Sequence, residues 1–221
     1  MRHVTGSTRP RIVFGRSAKR PRAIVLLLAS CCAYATVPPG PGPHADAGLS
    51  ASSAVAGTTQ VFTDRGAFTA ALANGHIENK FDDISHGASG GLHYADRGFE
   101  YLIYTQFGAS GALYNDRNAV STDRATDEIV ISFSGANPVT AIGGNFWSTD
   151  FAQRAIAGTV TVRLSDGTSE TIESTGPTDF LGFIAPAPIF SLTIDAPDIA
   201  DPAPGTSPDR WPTTTDLIIG S

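Results

Sequence analysis

From Ile129 to Ile194 the chain alternates apolar and polar residues over short runs separated by turn residues, the period-two pattern of half-buried β-strands. Ile129, Ile131 and Phe133 alternate with Val130, Ser132 and Ser134; Val160, Val162 and Leu164 alternate with Thr159, Thr161 and Arg163. Ser165-Asp166-Gly167-Thr168 then turns the chain into Ser169–Glu173. An Asp-Gly pair between two such runs predicts a hairpin with a type I′ turn, which needs positive φ at both central residues. This pattern requires an antiparallel β-rich domain and contains no stretch with the residues of an active site.

Further strands are expected around 77–82, 99–104, 119–122, 128–134, 139–148, 159–164, 169–173, 180–184, 189–195 and 216–219. Thr63-Asp64 supplies a helix N-cap, Phe68 and Leu72 share a face at i, i+4, and Asn74-Gly75 closes one short amphipathic helix. Residues 196–213 carry five prolines and are expected to form a loop. About ten short strands with one N-terminal helix fit an all-β, two-sheet antiparallel sandwich, jelly-roll-like, with a closed barrel as the alternative.

The charge is divided. Residues 1–47 hold seven of the fifteen Lys/Arg and a single acid, Asp46, leaving 8 basic against 20 acidic residues and a balance of −12 for the rest. A body this acidic repels phosphate backbones and anionic lipid, which argues against nucleic-acid binding. Arg16, Lys19, Arg20 and Arg22 precede the apolar run Ala23–Ala29, the charged and apolar regions of an export signal over residues 1–31. The run is shorter than the roughly 20 residues a permanent span needs. Two exits are open: Leu28-Ala29-Ser30-Cys31 has the form of a bacterial lipobox, which would lipidate Cys31 and anchor the chain to a membrane, and Ala33-Tyr34-Ala35 has the form of an ordinary cleavage site. The expected location is therefore outside the cytoplasm. No cysteine follows Cys32, so the folded domain has no disulfide and no thiolate chemistry. Residues 32–58, rich in Pro, Gly, Ala and Ser, read as a linker, and 59–221 as the sandwich domain.

Phe68, Phe81-Asp82, Ile131-Ser132-Phe133, the run Pro138–Trp147, Leu164-Ser165-Asp166-Gly167, Phe180–Ile184 and Asp216–Gly220 together resemble the exported bacterial β-sandwich ectodomains that carry PEP-CTERM sorting tails. The resemblance covers about residues 60–221 and implies a fold and an exported life. The sequence ends at Ser221 without the apolar tail and basic cluster of those proteins, and the lipobox is the expected replacement.

Several constellations are candidates for chemistry. Gly87-Ala88-Ser89-Gly90-Gly91 matches the serine-hydrolase GxSxG pattern, yet no histidine follows His93, and the triad needs one late in the chain. A glycine-rich loop accounts for it. His86 and His93 with Asp82, Asp83 and Asp96 match no metal-ligand spacing. Calcium takes six to eight oxygens, which acidic loops supply. Phe81-Asp82-Asp83 and Asp216 resemble the acid pair on first and last strands of calcium-binding, carbohydrate-recognising jelly rolls, so Asp82, Asp83 and Asp216 are candidate ligands of a structural calcium. Along 139–148, Ile142 and Phe146 share one parity while Asn145 and Trp147 share the other. An aromatic ring beside an amide suits a pyranose, although Gly143-Gly144 invites a bulge that would reverse this parity. Tyr101, Tyr104 and Tyr114 are further candidates for lining a groove, and Trp211 for pinning the long loop. The expectation is an exported, non-enzymatic binding module for a glycan or extracellular matrix, resting on Trp147, Asn145, Tyr104 and Tyr114. The alternatives are a structural envelope domain, and a hydrolase pairing Asp123 or Asp127 with Asp150.

Overall fold

The computed structural model describes residues 57–72, 75–106, 111–200 and 207–221. The export signal, Cys31 and most of the linker lie outside the described residues. The first elements are β1 (Gln60–Phe62), α1 (Arg65–Ala71), β2 (His76–Asn79), β3 (Gly87–Ser89), β4 (Leu92–Asp96), β5 (Phe99–Thr105), β6 (Leu113–Asp116) and β7 (Ala119–Thr122). They continue with β8 (Ile129–Phe133), β9 (Ala141–Thr149), β10 (Ala155–Ile156), β11 (Gly158–Leu164), β12 (Ser169–Ser174), β13 (Phe180–Ile184), β14 (Ser191–Asp195) and β15 (Trp211–Gly220).

The strands form two antiparallel sheets. The first runs β1-β13-β9-β15-β7-β6-β3; β10 pairs with the end of β9 that β13 leaves free, and β2 with the end of β15 that β7 leaves free. The second runs β12-β11-β14-β8-β5-β4. The alternating side chains of the second sheet, Tyr101, Ile103, Ile129, Ile131, Val160, Val162, Leu192 and Ile194, meet Ile142, Phe146, Leu181, Phe183, Leu217 and Ile219 of the first in one core. Each such side chain contributes about 1.5–3 kcal/mol relative to exposure. The all-β, two-sheet sandwich with a single helix among the described residues is what the sequence pattern requires.

The helix is a local plug. Asp64 caps it, its carboxylate accepting the Ala67 N–H at 2.6 Å, and Phe68 is its one buried residue. Phe68 sits between Phe62 and Phe180, at ring-centroid distances of 5.6 and 5.5 Å, on the outer side of the first sheet. It reaches the sheet because Gly143 and Gly182 lie beneath it: a Cβ there would come within 2.9 and 2.7 Å of the ring.

Turn chemistry differs from expectation in an instructive way. At 165–168 only Gly167 takes positive φ, 93°; Leu164 O accepts the Gly167 N–H at 3.1 Å and Leu164 N donates to Thr168 O at 2.8 Å. This is a type I turn closed by a glycine bulge, not a type I′ turn. The primed geometry appears instead at Arg97-Gly98 (φ 47° and 84°) and Arg117-Asn118 (φ 48° and 66°), which close the β4–β5 and β6–β7 hairpins. The loop expected over 196–213 ends early, because Trp211, Pro212 and Thr213 already belong to β15. Pro212 fits a strand there since β7 begins its pairing only at Thr213, so no ladder needs the missing N–H on that side. The bulge is also not in β9. β13 pairs with Ala141–Asn145 in unbroken register, and the irregularity falls in β15 between Thr215 and Ile218, where Asp216 has φ 51°.

Candidate functional site

With β9 regular, its parity holds. Ile142 and Phe146 face the core, and Asn145, Trp147 and Thr149 face outward from the first sheet. Thr213 of β15 lies directly opposite Trp147, and Ser121 of β7 opposite Thr213, so a hydroxyl-bearing row crosses the sheet beside the indole. Thr213 Oγ1 donates to Ser121 Oγ at 3.1 Å and lies 3.2 Å from Thr149 Oγ1.

Over this row opens a hollow of about 450 Å³. Its floor is Trp147, Thr149, Thr213 and Thr215, and its sides are the Ala152–Ala155 turn, Pro177, and the Asp116-Arg117 tip of the β6–β7 hairpin. Two aspartates hold the sides. Asp150 accepts hydrogen bonds from the backbone N–H groups of Ala152 (2.9 Å) and Arg154 (3.0 Å) and from the Arg154 guanidinium at 2.6 and 2.9 Å. Asp179 accepts from the backbone N–H groups of Thr175 and Gly176 and from the hydroxyls of Ser174 and Thr175. Desolvation acts to raise both carboxyl pKa values; Arg154 and the backbone donors at Asp150, and the backbone donors at Asp179, outweigh it and hold both below the ordinary range. Asp166 is lowered in the same way, desolvation being outweighed by donors from Thr168 and Thr59.

A pH dependence follows. Groups with depressed folded pKa values bind fewer protons folded than unfolded, so their contribution is complete above the ordinary carboxylate range and is lost on acidification. The contribution of these three carboxylates to the melting temperature should be complete at about pH 5 and above and should be lost as the pH drops through about 3.9, the ordinary aspartate value, and below. Circular-dichroism melts across that range check it; a melting temperature unchanged to pH 3 would contradict the assignment.

The clamped turn also carries Phe151, whose side chain is 85 % exposed and packs edge-on against Trp211 at 6.2 Å. Trp147 itself exposes only 5 % of its surface, too little for a ring to stack broadly upon it. Phe151 carried no sequence signal, because neither periodicity nor motif marks an aromatic residue within a turn.

The remaining candidate residues are dispersed. Asn145 lies two residues from Trp147 on the same face and donates to Asp216 Oδ2 at 3.2 Å. Tyr114 shares the outer face, opposite Ser121, with its hydroxyl 3.4 Å from His86 Nε2; His86 Nδ1 lies 3.2 Å from Asp116. Tyr104, of opposite parity to Tyr101 and Ile103, is on the outer face of the second sheet, away from Trp147. Asp82 accepts from Asn118 Nδ2 at 2.7 Å, Asp83 from the Tyr94 hydroxyl at 3.3 Å, and Asp216 also has the Arg65 guanidinium at 3.8 Å. Among the described residues no group of three or more His, Cys, Asp or Glu side chains is gathered as a metal site requires. His93 pairs with Glu100 at 2.9 Å and His86 with Asp116 at 3.2 Å, although both histidines line one shallow hollow with Asp83.

Gly87-Ala88-Ser89 is the short strand β3, where a loop was expected, and Ser89 Oγ accepts from Asn115 Nδ2 at 3.3 Å. It has no strand-to-helix turn. Of the acids considered for hydrolysis, Asp127 is only 3 % exposed, Asp123 is exposed, and Asp150 is committed to its clamp. Trp211 is buried in β15, with Phe151 against it. Compared with protein-family models, with curated proteins and with solved structures, the chain matches none.

Proposed function

We propose that this protein is an exported, non-enzymatic binding module that holds a carbohydrate in the hollow on the outer face of its first sheet. The observation that carries the reading is the combination of a preformed concavity with fixed sides. Its volume, about 450 Å³, lies within the usual range for small-ligand sites. Its lining mixes an indole with threonine hydroxyls, an amide from Gln153 and the guanidinium groups of Arg117 and Arg154, suited to the hydroxyls and C–H faces of a sugar. Phe151 beside it supplies an exposed ring for stacking. The clamps on both sides reduce the entropy lost on binding. The export signal expected over 1–31, and the resemblance to exported ectodomains, support a location for such a module at the cell surface or beyond. An acidic exterior fits a neutral glycan better than a polyanion.

The test is retention of the full chain on a panel of neutral polysaccharides, namely cellulose, xylan, mannan and starch. At least one should retain it. Phe151→Ala should weaken that binding about tenfold, the scale of one lost aromatic contact. Melting temperature should hold steady, because an 85 % exposed side chain adds little to stability. Retention by no polysaccharide would leave the structural-envelope reading in its place.

A further inference from the structure

Beside the first hollow lies a second, of about 570 Å³, lined by Asn145, Asp216, Thr178, Phe180, Lys80 and the Thr63–Arg65 segment. Three pairs of near neighbours in the chain are divided between the two. Trp147 lines the first and Asn145 the second, Thr215 the first and Asp216 the second, Pro177 the first and Thr178 the second. Asn145 and Thr215 are also directly opposite each other across β9 and β15. The two hollows therefore share one low border along β9, and Trp147 and Asn145 stand about 7 Å apart along an extended strand.

That border is built to stay in place. The β15 irregularity turns Asp216 to φ 51°, where its carboxylate receives the Asn145 amide at 3.2 Å and faces Arg65 at 3.8 Å. The Asp179 clamp fixes the turn that carries Pro177 and Thr178. Thr215 Oγ1 donates to Asn118 O at 2.6 Å, tying the border to the β6–β7 hairpin. At the far end α1 closes the face, with Phe68 over Gly143 and Gly182. The open part of the face is thus a trough with two compartments and one stopped end.

Resting on the carbohydrate reading above, we infer that the two hollows are consecutive subsites for adjoining units of a linear glycan, so that the ligand is an oligosaccharide stretch running along β9 and not a single sugar. The first hollow supplies the Thr149, Thr213 and Thr215 side chains around the edge of the Trp147 indole, with the exposed Phe151 ring on the turn that forms one of its sides. The second supplies polar contacts through Asn145, Thr178 and the Lys80 ammonium. Among the described residues no carboxylate lies within ion-pair distance of Lys80, which leaves it available to a ligand hydroxyl.

The measurement is calorimetric titration of the full chain with linear oligosaccharides of one to six units, cut from whichever neutral polysaccharide retains it. Affinity should climb about tenfold between the shortest binding oligomer and those long enough to fill both hollows, then level off. Lys80→Ala, at an exposed position, should remove that gain and leave short-oligomer affinity unchanged; Asn145→Ala, checked by its melting curve, should remove the gain as well. Phe151→Ala should weaken every length. Affinity independent of length, or a gain that survives both second-hollow substitutions, overturns the two-subsite inference and leaves the carbohydrate reading standing. Absence of binding at every length and to every polysaccharide overturns both.

Discussion

Phe68→Ala should lower the unfolding free energy by about 3–5 kcal/mol, the range for truncating a fully buried aromatic residue. For a domain of this size that corresponds to a fall in melting temperature of about 6–20 °C. The residue is completely buried and is the one buried residue of α1, so its loss loosens the helix from the first sheet as well as emptying a site. The partner substitution tests the geometry. Gly182→Ala places a Cβ 2.7 Å from the Phe68 ring and should cost about 1–3 kcal/mol by overpacking. In a Phe68→Ala background the closest clash is gone, only the 3.0 Å approach to the Phe180 ring remains, and the same glycine substitution should cost less. Equal costs in both backgrounds, measured by denaturant titration, would show that Phe68 does not rest on Gly182.

Asp150→Ala should abolish most glycan binding while the sandwich persists. The side chain receives two backbone and two guanidinium hydrogen bonds, all within the turn that carries Phe151, Gln153 and Arg154. Gln153 is held at φ 58°, a conformation non-glycine residues seldom adopt unaided. Without the carboxylate that turn keeps only two backbone hydrogen bonds, Gln153 N–H to Asp150 O at 2.9 Å and Asp150 N–H to Arg154 O at 3.0 Å, and one side of the hollow loses its firmest anchor. Affinity should drop more than the roughly tenfold expected for Phe151→Ala, since positioning of several contacts is lost together. Asp150→Asn, which keeps an acceptor for the backbone N–H groups, should fall between wild type and alanine. If alanine and asparagine variants bind as wild type does, Asp150 has no positioning role.

The period-two pattern made much of the fold readable. β8 and β11 send Ile129, Ile131, Val160 and Val162 inward as alternation requires, and Asp64 with Phe68 marks α1. What escaped has physical causes. β4 and β6 are joined to their partners by Arg97-Gly98 and Arg117-Asn118, turns whose positive φ at arginine no propensity anticipates. β15 was obscured by Pro212 and by Thr213-Thr214, polar residues buried because β9 and β7 flank them on both sides. The outward orientation of Asn145 and Trp147 was legible from parity alone. Sheet order was not, and so Tyr104 was grouped with residues on the opposite face. The sides of the hollow come from three segments far apart in sequence, Asp116-Arg117, Ala152–Ala155 and Pro177. Only their assembly beside β9 gives them a common purpose.

The position of β15 bears on how the first sheet closes. The strand pairs with β9 along its whole length and with β2 and β7 on its other side, and yet it is the last of the sixteen elements in sequence. During synthesis β2, β7 and β9 therefore all emerge before the segment that joins them, and the contacts that complete the sheet span most of the domain. Such non-local closure is slow. Closure of the first sheet therefore waits on β15, and the cooperative unit is complete only once that one strand has joined β9 to β2 and β7.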